Sequence, residues 1–334
     1  MAIADLIIEE QDNQILAREE RSLWQESMIR LMKNKVAVAS GLVIIIVMLV
    51  AVFAHLISPF HFAEQDLVLN NAAAPWMKAI LPENAVNYIN FSDKFPLGAD
   101  HLGRDLLSRT IYGSRISLSF AIVAASVALL IGIIYGMVSG YAGGKIDNIM
   151  MRIVDFLYAF PFLIVVILLQ TYFKALQRRG GSNLFFDLND RMGGMLFLFI
   201  AIGLLNWIGL ARIARGQVLS YKRKEFVEAA RAVGASDTRI VIKHLLPNII
   251  GPLIVVESLA IPGYIFTEAF LSFIGLGVNP PTPSWGIMIA EAAQGLRSYP
   301  FQVLIPAIAL SITTLAFNFL GDGLRDALDP RLKE

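Results

Sequence analysis

One apolar stretch decides what kind of protein this chain forms: residues 36–57, VAVASGLVIIIVMLVAVFAHLI. A helix needs about 20 mostly apolar residues to cross a hydrocarbon core of roughly 30 Å, and this stretch is long enough. His55 is its only ionisable side chain. A cleaved signal peptide has a shorter apolar region near the start, whereas a charged segment precedes this one. The stretch is therefore predicted to be a retained membrane anchor.

The composition of the whole chain is also that of a membrane protein. Of its 334 residues, 56% are hydrophobic and 16% are charged, and the mean hydropathy is +0.62. Soluble domains carry about 25% charged residues, so this chain is predicted to lie in lipid. Its net charge of +1 provides no basic field for nucleic acid. The absence of cysteine excludes disulfides, thiolate nucleophiles and cysteine-based metal sites.

Six stretches are long and apolar enough to span a bilayer as helices. They lie near residues 36–57, 116–138, 153–173, 193–213, 248–274 and 301–321. The predicted fold class is all-α, a polytopic membrane protein with six transmembrane helices. The expected division is an N-terminal segment 1–35, the anchor 36–57, an extracytoplasmic loop 58–115, a five-span core 116–321 with a polar loop 214–247, and a tail 322–334.

The basic residues indicate the orientation, because cytoplasmic loops carry an excess of Lys and Arg. With both termini in the cytoplasm, the inner segments hold eighteen basic residues and the outer segments ten. Both termini are therefore predicted to be cytoplasmic. The outer loop near residues 174–192 runs against the rule, since it contains Lys174, Arg178, Arg179 and Arg191.

Two polar segments lie outside the predicted spans. Residues 1–35 place charges at helical spacing around Leu23, Trp24, Met28 and Leu31. This pattern suits an amphipathic helix on the inner leaflet, and a solvated charged leader stays open as the alternative. Residues 58–115 contain four prolines and scattered asparagine, so they are predicted to be mostly loop and turn.

Sequence motifs of enzymes are missing. The run Gly143-Gly144-Lys145 has Ser139 where a phosphate loop needs its first glycine and Ile146 where it needs Ser or Thr. The four histidines are scattered, without the spacing of a zinc site, and no Gly-x-Ser-x-Gly elbow occurs. We therefore expect no catalytic, cofactor or metal site in this chain.

A compact polar segment separates the fourth and fifth spans. It reads Glu228-Ala229-Ala230-Arg231-Ala232-Val233-Gly234 and is followed by Leu245-Leu246-Pro247. A helix is predicted to end at Gly234, because glycine tolerates the left-handed backbone there. A second helix over residues 238–246 is predicted to begin after Ser236 or Asp237, with Pro247 and Asn248 breaking the chain before the fifth span.

The small side chains of the first helix would let another protein approach its backbone closely. The alternative is an amphipathic connector that only lies on the membrane, and spacing alone leaves both readings open.

The spacing of this segment resembles the signature loop of permease subunits of bacterial ABC importers. The matching residues are Glu228, Ala229, Ala230, Gly234, Leu246 and Pro247. His244 stands where the general pattern has Ile, and with Asn248 it is similar to the dipeptide/oligopeptide/nickel branch. Residues 97–115, 272–281 and 321–331 also resemble that branch, so the likeness covers nearly the whole chain and favours the C-type subunit.

The resemblance implies a type I ABC importer permease fold with a cytoplasmic coupling helix between the fourth and fifth spans. It implies four kinds of partner: membrane lipid, a second homologous permease subunit, two ATP-binding cassette ATPase subunits docked on residues 225–234, and an extracytoplasmic binding protein that delivers peptides. The location would be the cytoplasmic membrane of a bacterium or archaeon. Nickel, glutathione or another small solute stays open as the cargo.

Two acidic residues lie within the predicted fifth span, Glu257 near its middle and Glu268 nearer its outer end. An ionisable side chain costs roughly 2.5–3.5 kcal/mol there and normally faces a cavity or a partner. Glu257 and Glu268 are therefore candidates for lining the translocation pathway. The alternative is a hydrogen bond that only holds the helices together.

The sequence lacks most features of two other classes of membrane protein. An ion channel or secondary transporter would show a selectivity motif, recurrent acids within the spans or inverted repeats. Of these features, the sequence offers only the two acids Glu257 and Glu268, and no repeat is visible. A membrane-embedded enzyme is disfavoured by the missing motifs of catalytic sites.

Overall fold

The computed structural model of the protein describes residues 23–81, 83–179 and 184–328. Most of the predicted N-terminal segment 1–35, and the end of the predicted tail 322–334, lie outside the described residues. The α-helices are α1 (Leu23–Lys33), α2 (Lys35–Val52), α3 (Ala54–Ile57), α4 (Glu83–Val86), α5 (Leu106–Ala142), α6 (Gly144–Tyr158), α7 (Phe162–Arg178), α8 (Leu184–Arg191), α9 (Met195–Tyr221), α10 (Glu225–Ala232), α11 (Asp237–Arg239), α12 (Leu246–Phe273), α13 (Trp285–Ala293) and α14 (Pro300–Leu328).

Among the described residues, five helical runs are long and apolar enough to cross a membrane: α2, α5, α9, the run Asp237–Phe273 that includes α12, and α14. A sixth span is possible only as the pair α6 and α7, which meet at a bend of 78°. The all-α, polytopic fold class is confirmed. The predicted third span, near residues 153–173, is interrupted by this bend. Pro161 lies at the break, and a proline both lacks an N–H and disfavours helical backbone in the residue before it.

The second span belongs to a much longer helix than the apolar residues indicate. Helix α5 contains 37 residues and starts at Leu106, ten residues before the predicted span. At 1.5 Å per residue it is roughly 55 Å long, which exceeds the thickness of the hydrocarbon core. The side chain of Asp105 caps it by accepting a hydrogen bond of 2.7 Å from the Ser108 N–H. The last part of the predicted loop 58–115 is therefore helical.

Helices α5 and α9 approach each other closely along a row of glycines. Gly132, Gly136 and Gly140 are spaced by four residues and share one face of α5. A Cβ atom at Gly136 would lie 2.4 Å from the carbonyl oxygen of Ala211 and 2.6 Å from the Cβ of Ala214. Such spacing of small residues is typical of tight helix packing in membranes. The pair α5–α9 forms the centre of the bundle.

The remaining long helices surround this pair. Helix α12 packs against α5 and α14, and α2 packs against α14 and α5. One apolar core joins them, and its buried members include Phe120, Leu198, Ile265, Trp285 and Phe317. Helix α2 exposes large apolar side chains, Leu42, Ile45, Ile46 and Leu49 among them, as expected for a surface in contact with lipid.

Residues 58–105 consist of turns and short helices, as predicted. Two isolated bridges, Ala73 with Phe91 and Ala99 with Asp105, are the only β-pairing in the described residues. The segment nevertheless packs against the helix bundle, because Ala73, Met77 and Phe301 share one buried cluster. This part of the molecule is called the loop end of the bundle below.

Helix α13 lies at the loop end and was not predicted. Its first residue, Trp285, is buried and donates a hydrogen bond of 3.0 Å from Nε1 to the carbonyl oxygen of Thr110 in α5. The Oγ of Ser284 caps the helix by accepting from the Ile287 N–H at 3.2 Å. The helix has nine residues, one of them Glu291, and is too short to be recognised as a span, so the sequence alone indicates a loop here.

Candidate functional site

The candidate site is the elbow, residues 225–247, which connects α9 to α12 at the end of the bundle opposite the loop end. Helix α10 ends with a reversal of the backbone at Gly234, whose φ is +85°. The Gly234 N–H donates to the carbonyl oxygen of Arg231, and the Ala235 N–H donates to that of Ala230, both at 3.0 Å. These two bonds form a Schellman motif, which satisfies the carbonyl groups at the helix end. The predicted helix stop at Gly234 therefore has its expected geometry.

The second half of the elbow differs from the prediction. The Oγ of Ser236 caps a short helix by accepting from the Arg239 N–H, as expected. The chain then continues through a π-helical turn, Ile240–Leu245, directly into α12. The predicted break at Pro247 and Asn248 is thus wrong.

The wide turn explains why Pro247 is tolerated. The Leu246 N–H donates to the carbonyl oxygen of Val241, five residues earlier, and Pro247 occupies the first turn of α12. A proline needs no N–H partner at that position. The amide of Asn248 also donates a hydrogen bond of 2.7 Å to the carbonyl oxygen of His244.

Buried apolar residues anchor the elbow to the bundle. Val227 of α10 and Ile240 and Leu245 of the π-helical turn have no exposed surface. They pack in one cluster with Met137 of α5 and Leu253 of α12, and that cluster also includes residues of α9. A movement of α10 would therefore be transmitted to three spanning helices, since close-packed interiors resist compression.

The outward face of the elbow carries most of the residues that the resemblance singled out. Glu228, Ala229, Gly234 and Pro247 are exposed. Ala230 and Leu246 are half-buried and pack against the anchoring cluster. Val233, at the tip, is 90% exposed. The elbow thus presents small and apolar groups outward on a rigid base, which suits a surface that another protein contacts.

Polar contacts join the elbow to the ends of neighbouring helices. The hydroxyl of Tyr141, near the end of α5, donates a hydrogen bond to Oδ1 of Asp237, the first residue of α11. The Nζ of Lys222, just after α9, donates to the carbonyl oxygen of Gly140 at 2.7 Å.

A partly buried ion pair supports the same end of the bundle. Arg215 of α9 donates two hydrogen bonds of 2.6 Å to the two carboxylate oxygens of Asp147 in α6. One turn earlier, Arg212 pairs with Asp155 at 2.7 Å. Arg152 lies one turn from Asp155 in the same helix, and the spacing alone would favour a pair between these two residues. The partner is instead on the adjacent helix, because α6 packs against α9.

The two acidic residues of α12 are both hydrogen-bonded within this subunit. Glu257 is buried and accepts a bond of 2.7 Å from the hydroxyl of Tyr264 on the same helix. Glu268 is fully buried and accepts bonds from the Oγ atoms of Ser117 at 2.9 Å and Ser272 at 2.6 Å. Satisfied partners remove much of the cost of burial. Their role in a translocation pathway stays a prediction.

The loop end contains a second cluster of charges that sequence reasoning did not find. Arg104 donates to Asp100 at 2.6 Å and to Glu291 of α13 at 2.8 Å, and Arg109 donates to Glu291 at 2.9 Å. Asp100, His101 and Glu291 place one ligand atom each within 4.8 Å of one another. The two guanidinium groups occupy the carboxylates, so this arrangement favours ion pairing over cation binding.

Asp105 caps α5 beside this charge cluster. Burial raises the pKa of Asp105, and hydrogen bonds from the hydroxyl and the N–H of Ser108 oppose that rise. One of its carboxylate oxygens has no hydrogen-bond partner among the described residues.

Comparisons with known proteins agree with this architecture. Residues 128–334 match the family of binding-protein-dependent transport system inner membrane components, and residues 22–75 match the N-terminal TM domain of oligopeptide transport permease C. The chain is 43% identical over 313 residues to the oligopeptide transport system permease protein OppC of Haemophilus influenzae, with 94% of this chain and 90% of the relative covered.

Other relatives carry related names. The dipeptide transport system permease protein DppC of Bacillus subtilis is 41% identical, with 93% of this chain and 87% of the relative covered. The glutathione transport system permease protein GsiD of Pectobacterium atrosepticum is 36% identical, with 94% and 93% covered. Among solved structures, an inward-facing MetNI methionine ABC transporter has a TM-score of 0.48 and 17% identity, covering 67% of this chain and 96% of that one.

The full-length similarity to curated permeases, together with the family match over more than half of the chain, establishes the family. The chain is a member of the binding-protein-dependent transport system inner membrane components, the membrane-spanning permease subunits of ABC importers.

Proposed function

We propose that this chain forms, together with a second homologous permease subunit, the translocation pathway of an importer for dipeptides or oligopeptides. Relatives named for oligopeptide and dipeptide transport cover more than nine tenths of the chain. A relative named for glutathione transport fits the same chemical class, since glutathione is a small peptide. Nickel and other small solutes are the competing cargoes.

The elbow carries the mechanistic part of the proposal. It combines an exposed face of small residues with an anchor of fully buried ones, Val227 and Leu245 among them. A surface that only rests on lipid needs no such rigid base. We therefore assign Glu228, Ala229, Ala230, Gly234, Leu246 and Pro247 to docking of an ATPase subunit. ATP chemistry belongs to two ATPase partners, and an extracytoplasmic binding protein supplies the cargo.

Force would pass from the ATPases into the spans through the anchor. When the ATPases close on ATP, they press on α10, and the cluster around Val227 moves α5, α9 and α12 together. Rigid-body rocking of this unit against its counterpart would open the pathway to one side at a time. Glu257 and Glu268 of α12 are proposed to border that pathway.

The proposed orientation places the elbow and both termini in the cytoplasm and residues 58–115 outside. It can be tested cleanly because the chain has no cysteine, so single cysteines can be introduced without removing others. Ala232→Cys marks the elbow and Val68→Cys marks the loop end, and both sites are exposed. In intact cells, a membrane-impermeant maleimide should label only Val68→Cys. Labelling of Ala232→Cys without permeabilisation would contradict the orientation.

The cargo is tested with the complete complex. The chain is co-purified with its second permease and ATPase subunits and reconstituted in vesicles with the binding protein outside. We expect peptides to stimulate ATP hydrolysis and to accumulate inside the vesicles, and Ni²⁺ to do neither. Stimulation by Ni²⁺ alone would overturn the peptide assignment. Ion currents without ATP would instead favour a channel.

A further inference from the structure

A large cavity lies at the loop end, between α7, the segment that follows α12, and α13. Its volume is about 1020 Å³, at the upper limit of the range typical of small-molecule sites. Thr171 and Gln177 of α7, Asn279 of the connecting segment and Ile287 of α13 are among the residues that line it. In the proposed orientation the cavity faces the extracytoplasmic side.

Three basic residues line this cavity: Lys174, Arg178 and Arg179. Arg178 and Arg179 are exposed, and neither forms an ion pair within the part of the chain that the structure describes. The Nζ of Lys174 donates only to carbonyl oxygens, that of Gly277 at 3.0 Å and that of Gly275 at 3.3 Å. Asp190 lies beside this wall, where it accepts a hydrogen bond from Gln177, but it forms no ion pair with the three basic residues among the described residues.

The opposite wall contributes little free negative charge. Glu291 lines the cavity, but one of its carboxylate oxygens already accepts hydrogen bonds from Arg104 and Arg109. The cavity as a whole is positively charged and favours an anionic ligand.

These same basic residues are the ones that run against the charge rule for membrane orientation. Basic residues on the outer side oppose the signal that sets topology. A cation in the last turn of α7 gains from the helix dipole, but that effect falls off within one turn and does not require three cations around one cavity. Binding of an anion gives a physical reason for their presence.

The other lining groups match the remaining chemistry of a peptide. Asn279 can hydrogen-bond with amide groups, while Phe273, Leu276 and Ile287 provide apolar surface for side chains. The amide of Gln177 is already hydrogen-bonded to Asn189 and Asp190. The wall is firmly held, since Gln170 donates a hydrogen bond of 3.0 Å to the carbonyl oxygen of Leu276. Ser272, also in the wall, is hydrogen-bonded to Glu268 behind it.

We propose that this cavity is an entry site in which Arg178 and Arg179 bind the C-terminal carboxylate of the peptide as it leaves the binding protein. The inference rests on the proposed import of peptides. Arginine suits this role because its planar guanidinium group matches the geometry of a carboxylate.

The test compares a peptide with a free C-terminus and the same peptide with a C-terminal amide. Both must load the binding protein, which is checked by titration and then used at saturation. Uptake of each peptide is measured with the reconstituted complex of the wild type and of the double variant Arg178→Gln/Arg179→Gln. For each complex, the uptake rate of the peptide with a free C-terminus is divided by that of the amidated peptide. Both complexes use the same binding protein, so a difference between the two ratios comes from the permease.

We expect the double variant to lower the preference for the free carboxylate by about tenfold, the order of one lost charge-assisted hydrogen bond. Arg178→Lys/Arg179→Lys should retain most of the preference. Arg297→Gln, which removes an exposed basic residue at the loop end outside the cavity lining, should leave it unchanged. ATP hydrolysis without peptide should be the same in Arg297→Gln as in the wild type.

Three results would overturn the inference. An unchanged preference in the double variant, with peptide uptake intact, would exclude the carboxylate site but leave peptide import standing. The double variant could instead take up both peptides equally slowly. If this loss of uptake disappears in vesicles without anionic lipid, the arginines bind a lipid headgroup. If a higher concentration of binding protein restores the uptake of both peptides by the double variant, the arginines serve in docking of that protein. Absence of peptide uptake by the wild type would instead remove the proposed function and this inference with it.

Discussion

The hydroxyl of Tyr141 donates a hydrogen bond to Oδ1 of Asp237 and thereby joins the end of α5 to the second half of the elbow. The two residues are 96 positions apart in the sequence, yet both lie at the same end of the bundle. The contact is polar and partly exposed, whereas the rest of the elbow's anchor is apolar and buried. It is therefore an attachment of α11 to α5 that a single conservative substitution can remove without disturbing the core.

Tyr141→Phe should weaken the transmission of movement from the elbow to α5. A typical hydrogen bond contributes roughly 0.5–1.5 kcal/mol, so we expect about a two- to tenfold loss in peptide transported per ATP hydrolysed. The measurement is simultaneous uptake and hydrolysis by the reconstituted complex. Tyr172→Phe is the matched control, because Tyr172 is exposed on α7 and away from the elbow. Unchanged coupling in Tyr141→Phe would show that this contact transmits nothing.

A double-mutant cycle with Asp237→Asn separates this contact from other effects. Asp237 also lies in the first turn of α11, where a negative charge is favourable, so its substitution has a cost of its own. If the hydrogen bond carries the effect, the double variant should lose little more coupling than Tyr141→Phe alone. Additive losses would mean that the two residues act independently.

Gly234→Val should impair docking of the ATPase without preventing membrane insertion. Gly234 has a φ of +85°, and a left-handed backbone costs roughly 1–2 kcal/mol for a residue with a side chain. Nothing lies within 4 Å of an added Cβ, so the effect would arise from backbone strain and not from a clash inside the subunit. We expect weaker retention of the ATPase subunits on purification and reduced peptide uptake.

Gly234→Asn is the control for this strain, because asparagine has a bulk similar to valine but tolerates the left-handed conformation. It should retain more ATPase binding than Gly234→Val. Equal losses in the two variants would show that side-chain volume in the docking surface matters and backbone conformation does not.

Gly136→Ala should destabilise the pair α5–α9. An added Cβ would lie 2.4 Å from the carbonyl oxygen of Ala211, so the two backbones would have to separate. Overpacking of this kind typically costs 1–3 kcal/mol. Gly216→Ala, in the interior of α9 with nothing within 4 Å of the added atom, should be neutral or slightly stabilising. Thermal unfolding midpoints of the purified variants in detergent provide the measurement, and a lower midpoint for Gly216→Ala than for Gly136→Ala would contradict this packing.

Much of the fold could be predicted because hydropathy reports membrane spans directly. The stretches 36–57, 193–213, 248–274 and 301–321 each fall largely within a long helix. Gly234 could be identified as a helix end because its requirement for a left-handed backbone is local. The row Gly132, Gly136 and Gly140 was also readable as a packing motif, but it was not used in the prediction.

Other features depend on contacts that the sequence does not display. The start of α5 at Leu106 could not be predicted from hydropathy, because Arg109 and Arg115 give the first turns of the helix the polarity of a loop. The ion pair between Arg104 and Glu291 at the loop end joins residues that are more than 180 positions apart in the sequence. The sequence likewise shows no local signal for the π-helical turn before Pro247.

Arg215 and Arg212, one turn apart in α9, allow the two kinds of ion pair to be compared directly. In the pair of Arg215 with Asp147, the side chains are 32% and 9% exposed, whereas in that of Arg212 with Asp155 they are 37% and 66% exposed. Arg215→Gln leaves a buried carboxylate without its partner and should cost roughly 2 kcal/mol or more, although less than the 3–5 kcal/mol of a fully buried pair. Arg212→Gln should cost no more than about 1 kcal/mol, as surface pairs do.

The same substitution at both positions keeps the change in charge and volume identical. Thermal unfolding in detergent should therefore give a lower midpoint for Arg215→Gln than for Arg212→Gln. Adding Asp147→Asn to Arg215→Gln should restore part of the loss, because the amide removes the unpaired buried charge. If the two single variants unfold at the same temperature, or if Asp147→Asn worsens Arg215→Gln, then Asp147 is not held by Arg215 in a buried environment and the contact between α6 and α9 must be different.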